Sequence, residues 1–521
     1  MKILWLGFIL SITCAYPYTQ DKVYKITILH TNDHHGRFWE NKDGELGLAP
    51  RLTLIEQIRA EVKKAGGHTL LLDAGDVNTG IPQSDMLEAE PDFKGMKVLD
   101  YDVMAIGNHE FDQPLDIIFK QQKWAGFPFV SANIFYQNKD ERPFQSHIFK
   151  KIEELNIGIM GLTTKDTPMK TNPKNVRGLV FKDPIEVAKK LVPEIRKQAD
   201  VMIALTHMGH YPNESHGVDA PGDVTLARQV NGIDIIVGGH TQKPLFEADI
   251  QNGTIIVQAY EWGKYLGRID LEFLNGKLTL KKYELLPINL KKKETVNGKE
   301  VVTYMGTPIK PDVKLLAMLA PYKAAGDKTL MVKIAESEET FIGERHVVRT
   351  QETNLGNMIA HAYKIFFNAD LALVNSGGIR SSIAPGVINM ETLLTVLPFG
   401  GEIVTIEMSG KELTEYLKKV VFAPTIGTGG FPQFSGLKVS GSLKDKSFHS
   451  LSINDKPLNS EHIYKIVMPE FVAKGGDNYP VLSTYKKYGY TDADIFKKFL
   501  SDKKKIKKGE FAVADYLDIK K

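Results

Sequence analysis

Thiols are almost absent from this chain. Among its 521 residues there is one cysteine, Cys14, within the first apolar segment. A chain processed beyond it can form no disulfide and can offer no thiolate to a metal. Long apolar runs are missing as well. The run over residues 3–12 is too short to cross a bilayer, no later segment is apolar enough, and the C-terminal DYLDIKK is too polar for an anchor signal. Nor does one sign of charge dominate, since 66 Lys+Arg against 63 Asp+Glu leave +3. That balance gives no global grip on a nucleic acid polymer, so an anionic ligand must be met by a local positive cluster. Internal repeats and low-complexity tracts are lacking too.

What is present is ordinary globular composition, 42% hydrophobic and 25% charged, over a length that exceeds one hydrophobic core. Two or more domains are expected. Lys2, the apolar run behind it and small residues at Thr13 and Ala15 predict a secretory signal over 1–15, and hence a periplasmic or secreted protein. Lipidation at Cys14 is the rival, but Ser11 and Thr13 fit poorly the small apolar residues favoured there.

From Tyr24 to about Pro287 short apolar runs alternate with helical stretches, as in layered α/β structure. Asp183, Pro184 and Glu186 predict a capping box at the start of a helix whose stripe is Ile185, Ala188, Leu191, Val192 and Ile195. Pro193 is expected to kink or end it. The polar stretch 291–303, with three lysines and an Asn-Gly, reads as a surface turn or loop, and the lysines of 503–508 as a solvated face. Pro311 opens a helical stretch expected to stop at Gly326, and a second α/β alternation begins near Lys333. A boundary is therefore expected around 311–332.

Five probable strands each run into side chains of metal-ligand type. KITILHT leads to Asn32, Asp33, His34, His35 and Gly36; TLLLDAGD ends at Asp76; DVMAIGNHEFD carries Asn108, His109 and Asp112; VMIALTHMGH delivers His207; DIIVGGHTQ delivers His240 and Gln242. Sites in open α/β sheets gather beyond the carboxyl ends of strands, so the five can converge. Taken singly, a histidine after a strand is more often a hydrogen-bonded structural residue, and Gly-Asp is usually a turn. Together, carboxylate, amide and imidazole without thiolate suit Zn, Mn or Co, and seven ligands are too many for one tetrahedral zinc.

The motifs TNDHHGRFW, AGDVNTG, GNHEFD, THMGHY, HGVDAPGD, GGHTQ and EWGKYLGR resemble the calcineurin-like metallophosphatases, and within them the bacterial periplasmic 5′-nucleotidase/UDP-sugar hydrolase family. NSGGIR, LPFGG, GGFPQF and KGGDNYP continue the likeness through the C-terminal half. The resemblance implies an α/β fold, with a four-layer α/β/β/α metallophosphatase sandwich over 22–310, a linker helix or hinge over 311–332, and a second α/β nucleotide-binding domain over 333–521. It implies two divalent metal ions. Asp33, His35, Asp76 and Gln242 would hold one; Asp76, Asn108, His207 and His240 would hold the other, with Asp76 as the bridge. An amide oxygen is a poorer donor than the histidine common in the wider superfamily at Gln242, so the first site is expected to be the weaker. His34, His210 and His216 are left as supporting or structural residues.

The same resemblance assigns His109 and Asp112 to transition-state stabilisation. Asp112 taken alone would read as a helix cap. It places Arg345, Arg349 and Arg380 on the substrate's phosphate, a contact that suits the planar guanidinium. Phe399 and Phe471 would stack the base, with Gly429 and Asp477 completing the pocket; without the resemblance both phenylalanines would read as core. Two departures are visible. Gly401 stands where the family has an asparagine, which leaves base preference open, and the disulfide-bearing insertion after Gln242 is absent, in line with the cysteine count. The implied activity is phosphate release from AMP and other 5′-nucleotides, with UDP-sugars as a second substrate class, by a chain expected to be a monomer. The rivals are a 2′,3′-cyclic nucleotide phosphodiesterase, a thiosulfate-releasing hydrolase, and a surface nucleotide-binding protein without catalysis.

Overall fold

The computed structural model describes residues 18–171, 174–212, 215–216, 220–296, 299–513 and 517–520. The signal expected over 1–15 lies outside them, as does the side chain of His216.

Two six-stranded sheets build the first half. One runs in the order Lys277–Pro287, Tyr265–Leu274, Tyr24–Thr31, His68–Asp73, Val103–Ala105 and Phe129–Val130; the other in the order Asp249–Gln251, Thr254–Gln258, Ile235–Gly238, Val201–His207, Leu155–Thr163 and His147–Ile152. Their facing sides share one core, in which Ile26, Ile28, Leu70 and Leu72 meet Ile157, Ile159, Ile203 and Ile235. Helices Leu48–Lys64, Glu90–Val98 and Leu115–Ala125 cover the outer face of the first sheet, and Pro184–Arg196 with Asp223–Gln229 cover the second. This is the expected four-layer α/β/β/α sandwich. Its central strands are buried on both faces, which is why they read as continuous apolar runs.

Parallel pairing is what gathers the ligand-type residues. Thr31 stands opposite Asp73, Leu72 opposite Val103, Thr163 opposite His207, and Ile203 opposite Ile235. The strands therefore finish on one edge of the sandwich, and the loops leaving them are neighbours.

The second half centres on a five-stranded sheet in the order Pro432–Ser435, Leu371–Asn375, Ile463–Pro469, Glu402–Ser409 and Lys486–Thr491. Helices Asn354–Phe366 and Asp492–Lys503 pack on one face and Gly410–Val421 on the other.

Three local expectations are corrected. The stretch 291–303 is not a loop: Lys291–Val296 and Lys299–Tyr304 pair antiparallel, with Lys293 opposite Val302. Two β-compatible runs around Asn-Gly are a hairpin signal, which outweighs the lysines; the Asn-Gly tip lies outside the described residues. The helix after Pro311 runs Val313–Leu330, capped by Asp312, whose side chain accepts from the Leu315 N–H at 2.7 Å. It passes through Gly326 because a Cβ there would stand 2.7 Å from Gln83 Cγ, so the glycine serves close helix packing rather than a stop. Helix Pro184–Arg196 continues a turn past Pro193, and only half of its capping box forms: Asp183 accepts from Ile185 and Glu186, while the Glu186 carboxylate pairs with Lys189 at 2.8 Å. Helix Val313–Leu330 buries Leu315 and Leu319 in the core of the first half. Among the described residues no helix is long and apolar enough to cross a membrane.

Candidate metal centre and substrate cleft

Five of the seven predicted ligands sit in left-handed backbone: Asp33 (φ 52°), His35 (52°), Asp76 (59°), His240 (80°) and Gln242 (51°). Each such conformation costs about 1–3 kcal/mol, and such residues cluster at functional sites. Sharp turns at the strand ends aim successive side chains at one point. Asp76 occupies the middle. It forms one compact group with His35 and His109 and another with His207 and His240, the ligand atoms of each lying within 4.8 Å of one another.

Hydrogen bonds fix which atoms face inward. His35 donates from Nδ1 to the Thr79 carbonyl at 2.7 Å, and His207 from Nδ1 to the Ala74 carbonyl at 2.7 Å, so each turns Nε2 to the centre. Asp33 Oδ2 accepts from Asn32 and from the His240 N–H, leaving Oδ1 free. Asp76 Oδ1 accepts from the His109 N–H at 2.8 Å, and Oδ2 lies 2.9 Å from His207 Nε2. That last approach lacks the direction of a hydrogen bond. Three buried atoms are thus left without hydrogen-bond partners: Asp33 Oδ1, Asn108 Oδ1 and His207 Nε2. Orphaned buried groups are costly, and divalent ions at this point would satisfy all three. The residues present fit the implied metals. Burial raises the Asp33 carboxyl, while at His207 burial opposes a positive charge but Asp76 overcomes it.

Gln242 is placed differently from a simple ligand. Its amide donates to His35 Nε2 at 2.6 Å, and its carbonyl oxygen accepts from Arg345 Nη1 of the second half at 2.5 Å. The oxygen that a metal would take is engaged by an arginine.

His109 stands beside this cluster, with Nδ1 2.6 Å from Asp112 Oδ2. Burial opposes a charge on its ring, but Asp112 and Asp76 prevail and raise its pKa. Asp112 is itself held by Thr79 Oγ1 at 2.7 Å and Thr171 Oγ1 at 2.9 Å.

Glu110 was given no role in the sequence reading, although it lies inside GNHEFD. Its buried carboxylate accepts backbone N–H groups from Gly107 (2.7 Å), Val77 (2.8 Å), Asp76 (3.0 Å) and Asn78 (3.3 Å). It ties together the two loops that carry Asp76 and Asn108. Nothing in local spacing distinguishes it from a surface glutamate. Of the left-over histidines, His34 bonds Asp92 at 2.9 Å and His210 bonds Asp249 at 2.8 Å.

A cavity of about 760 Å³ joins this cluster to the second half. Asp76, Asn108, His109, His240 and Gln242 line one side. Arg345, Arg349, Arg380, Phe399, Gly429, Phe471 and Asp477 line the other. Burial and mutual repulsion depress Arg349 and Arg380, the latter to about 10. Three guanidinium groups crowded this way await an anion. Asp477 (φ 51°) accepts from Asn375 at 2.7 Å, in space open only because Gly377 and Gly429 lack a Cβ. Phe399 stacks on His109 with ring centroids 5.8 Å apart, so the second half already touches the reactive side. At the rim Glu402 pairs with Lys174 of the first half at 2.7 Å and with Lys487 of its own half at 3.2 Å.

Comparisons with known proteins agree with this division. Residues 26–244 match the family of calcineurin-like phosphoesterases, and residues 333–484 match the 5′-nucleotidase C-terminal domain. The chain is 46% identical over 525 residues to a 5′-nucleotidase of Vibrio cholerae, covering 96% of this chain and 94% of that protein. It is 42% identical over 518 residues to protein UshA of Escherichia coli, covering 95% and 94%. The crystal structure of a 5′-nucleotidase precursor from Thermus thermophilus superposes with a TM-score of 0.79 at 29% identity, covering 95% of this chain and 99% of that one.

Proposed function

The chain belongs to the calcineurin-like phosphoesterases that carry a 5′-nucleotidase C-terminal domain and is a nucleotide phosphohydrolase, a 5′-nucleotidase, and we propose that it works through two divalent ions bridged by Asp76. One observation carries the reading. A single cavity unites the carboxylate, amide and imidazole donors with three arginines and two phenylalanines.

In this reading Asp33, His35, Asp76 and Gln242 would hold one ion, and Asp76, Asn108, His207 and His240 the other. For Gln242 to take part, its carbonyl must turn from Arg345. Bound ions of this kind lower the pKa of water and neutralise charge developing on the phosphoryl group. The chain's own residues do the rest. Arg345, Arg349 and Arg380 bind the phosphate and hold it against the donor cluster. His109, kept cationic and held in orientation by Asp112, presents Nε2–H to a phosphoryl or leaving-group oxygen. Phe399 and Phe471 stack the base, and Asp477 beside Gly429 accepts from a ribose hydroxyl.

We further propose that UDP-sugars are a second substrate class, that the chain is exported with cleavage after Ala15, and that 22–310, 311–332 and 333–521 act as catalytic domain, connector and nucleotide-binding domain. The test is phosphate release from AMP, ATP, UDP-glucose and cyclic AMP by metal-reconstituted protein. Turnover of AMP is expected, and turnover of cyclic AMP alone would overturn the reading.

A further inference from the structure

Besides the phenylalanines, the cavity is lined by Tyr363, Val374, Leu397, Gly401 and Asp492. Four of these offer an apolar or aromatic wall or a bare backbone; Asp492 alone brings a carboxylate. It is 7% exposed, at the first position of helix Asp492–Lys503. The helix it begins is already capped, since Thr491 and Asp494 form a complete capping box. Burial pushes its carboxyl up to about 7, against the backbone N–H groups of Ala493 and Gly401.

Gly401 is the reason this carboxylate reaches the cavity. Its carbonyl accepts from the Asp492 N–H at 2.9 Å, which holds the two residues side by side. A Cβ on Gly401 would stand 3.7 Å from Asp492 Oδ2, so a side chain there would pack against the acid. Asp492 Oδ1 is occupied by the Ala493 N–H at 2.7 Å. Oδ2 is the atom turned towards Gly401.

A buried carboxylate in a cavity shared with two phenylalanines accepts N–H donors and repels carbonyl lone pairs. We propose that Asp492 reads the base: its carboxylate accepts a hydrogen bond from an amino group on the ring edge and thereby favours adenine and cytosine nucleotides over hypoxanthine and uracil ones. This inference rests on the nucleotidase reading and deepens it. It also makes uridine compounds, UDP-sugars included, the poorer substrates.

Two substrate pairs isolate the contact. AMP differs from IMP, and CMP from UMP, by one amino group exchanged for an oxo group and by the proton that the adjacent ring nitrogen then carries, so the comparison reads a carboxylate set on the amino position rather than on that nitrogen. Metal-reconstituted wild-type protein, assayed about one pH unit above the carboxyl's pKa, is expected to favour AMP over IMP and CMP over UMP in kcat/KM by about tenfold or more. In Asp492→Asn, whose amide can donate as well as accept, both ratios should fall towards one. Each ratio is taken within one preparation, so a loss of folded protein cancels. If the variant does not fold, calorimetric binding of adenosine and inosine to the wild type decides, and equal affinity overturns the proposal. Absence of AMP turnover in the wild type overturns the nucleotidase reading itself. AMP turnover with ratios near one, or with ratios unchanged in Asp492→Asn, overturns only the role of Asp492.

Discussion

Asp76 is the residue on which both halves of the donor cluster depend, because it alone belongs to the His35 group and the His207 group. Asp76→Ala should abolish turnover and lose at least one metal; a protein that keeps two tightly bound ions and turnover would refute the bridge. His109→Ala should keep both metals and lower kcat by about a hundredfold to ten-thousandfold, the range for a positioned acid–base group. Asp112 sets the pH behaviour of that histidine. A group whose folded pKa is raised keeps its proton as pH climbs, until the raised value is passed. Asp112→Asn removes the nearest carboxylate, so the imidazolium is lost at lower pH and the alkaline limb of kcat/KM should move down. A limb that stays in place would show that His109 does not act as the cation. At this scale the sequence disclosed donor types well, because a histidine or aspartate at a strand end announces its chemistry. It did not disclose Glu110, Thr79, Thr171 or Asp492, whose importance comes from partners 30 or more residues away, such as Asp76 for Glu110 and Asp112 for Thr79.

The elements that present these residues are strand ends packed to contact distance. Gly107 shows how tight the fit is, since a Cβ there would stand 2.2 Å from Asp76 Oδ1 and 2.7 Å from the Asp76 N. Gly107→Ala should therefore displace the central carboxylate while the sandwich survives. The expected result is weakened metal binding in a titration with little change in far-ultraviolet circular dichroism; undiminished metal affinity would contradict the packing argument. Apolar runs made the central strands legible, because burial on both faces leaves no polar interruption. The hairpin Lys291–Val296 with Lys299–Tyr304 was hidden by its lysines, whose charge says solvent but not loop. Helix Val313–Leu330 outran its expected end because Gly326 answers to Gln83 on another element, a contact with no local signature.

For the whole molecule, the structure changes where the two halves should be separated. A chain ending near Lys310 would discard Leu315 and Leu319, which are buried in the first core, and should fail to fold. A chain ending at Met331 keeps that helix and all seven donors. It should retain slow hydrolysis of an aryl phosphate, yet lose kcat/KM for AMP by at least about a hundredfold, since stacking is worth roughly 1–3 kcal/mol per contact. Equal retention of both activities would sink the division of labour between the halves. The broad division was readable from two successive α/β alternations. The closeness of the halves was not, because Phe399 on His109 and Arg345 on Gln242 join residues more than a hundred positions apart.

The rim carboxylate Glu402, shared between Lys174 and Lys487, turns ionic strength into a dial on the cleft. When the halves part, Glu402 gives up Lys174 but keeps Lys487, so opening strands no charge in an apolar place. What the rim surrenders, beside the Arg345–Gln242 and Phe399–His109 contacts within the cleft, is an exposed ion pair worth about 0–1 kcal/mol, of the kind that dissolved salt screens within about 8 Å at physiological strength. Added salt should therefore shorten the time the cleft stays shut and hasten product departure, while the buried donors around Asp76 remain indifferent to it.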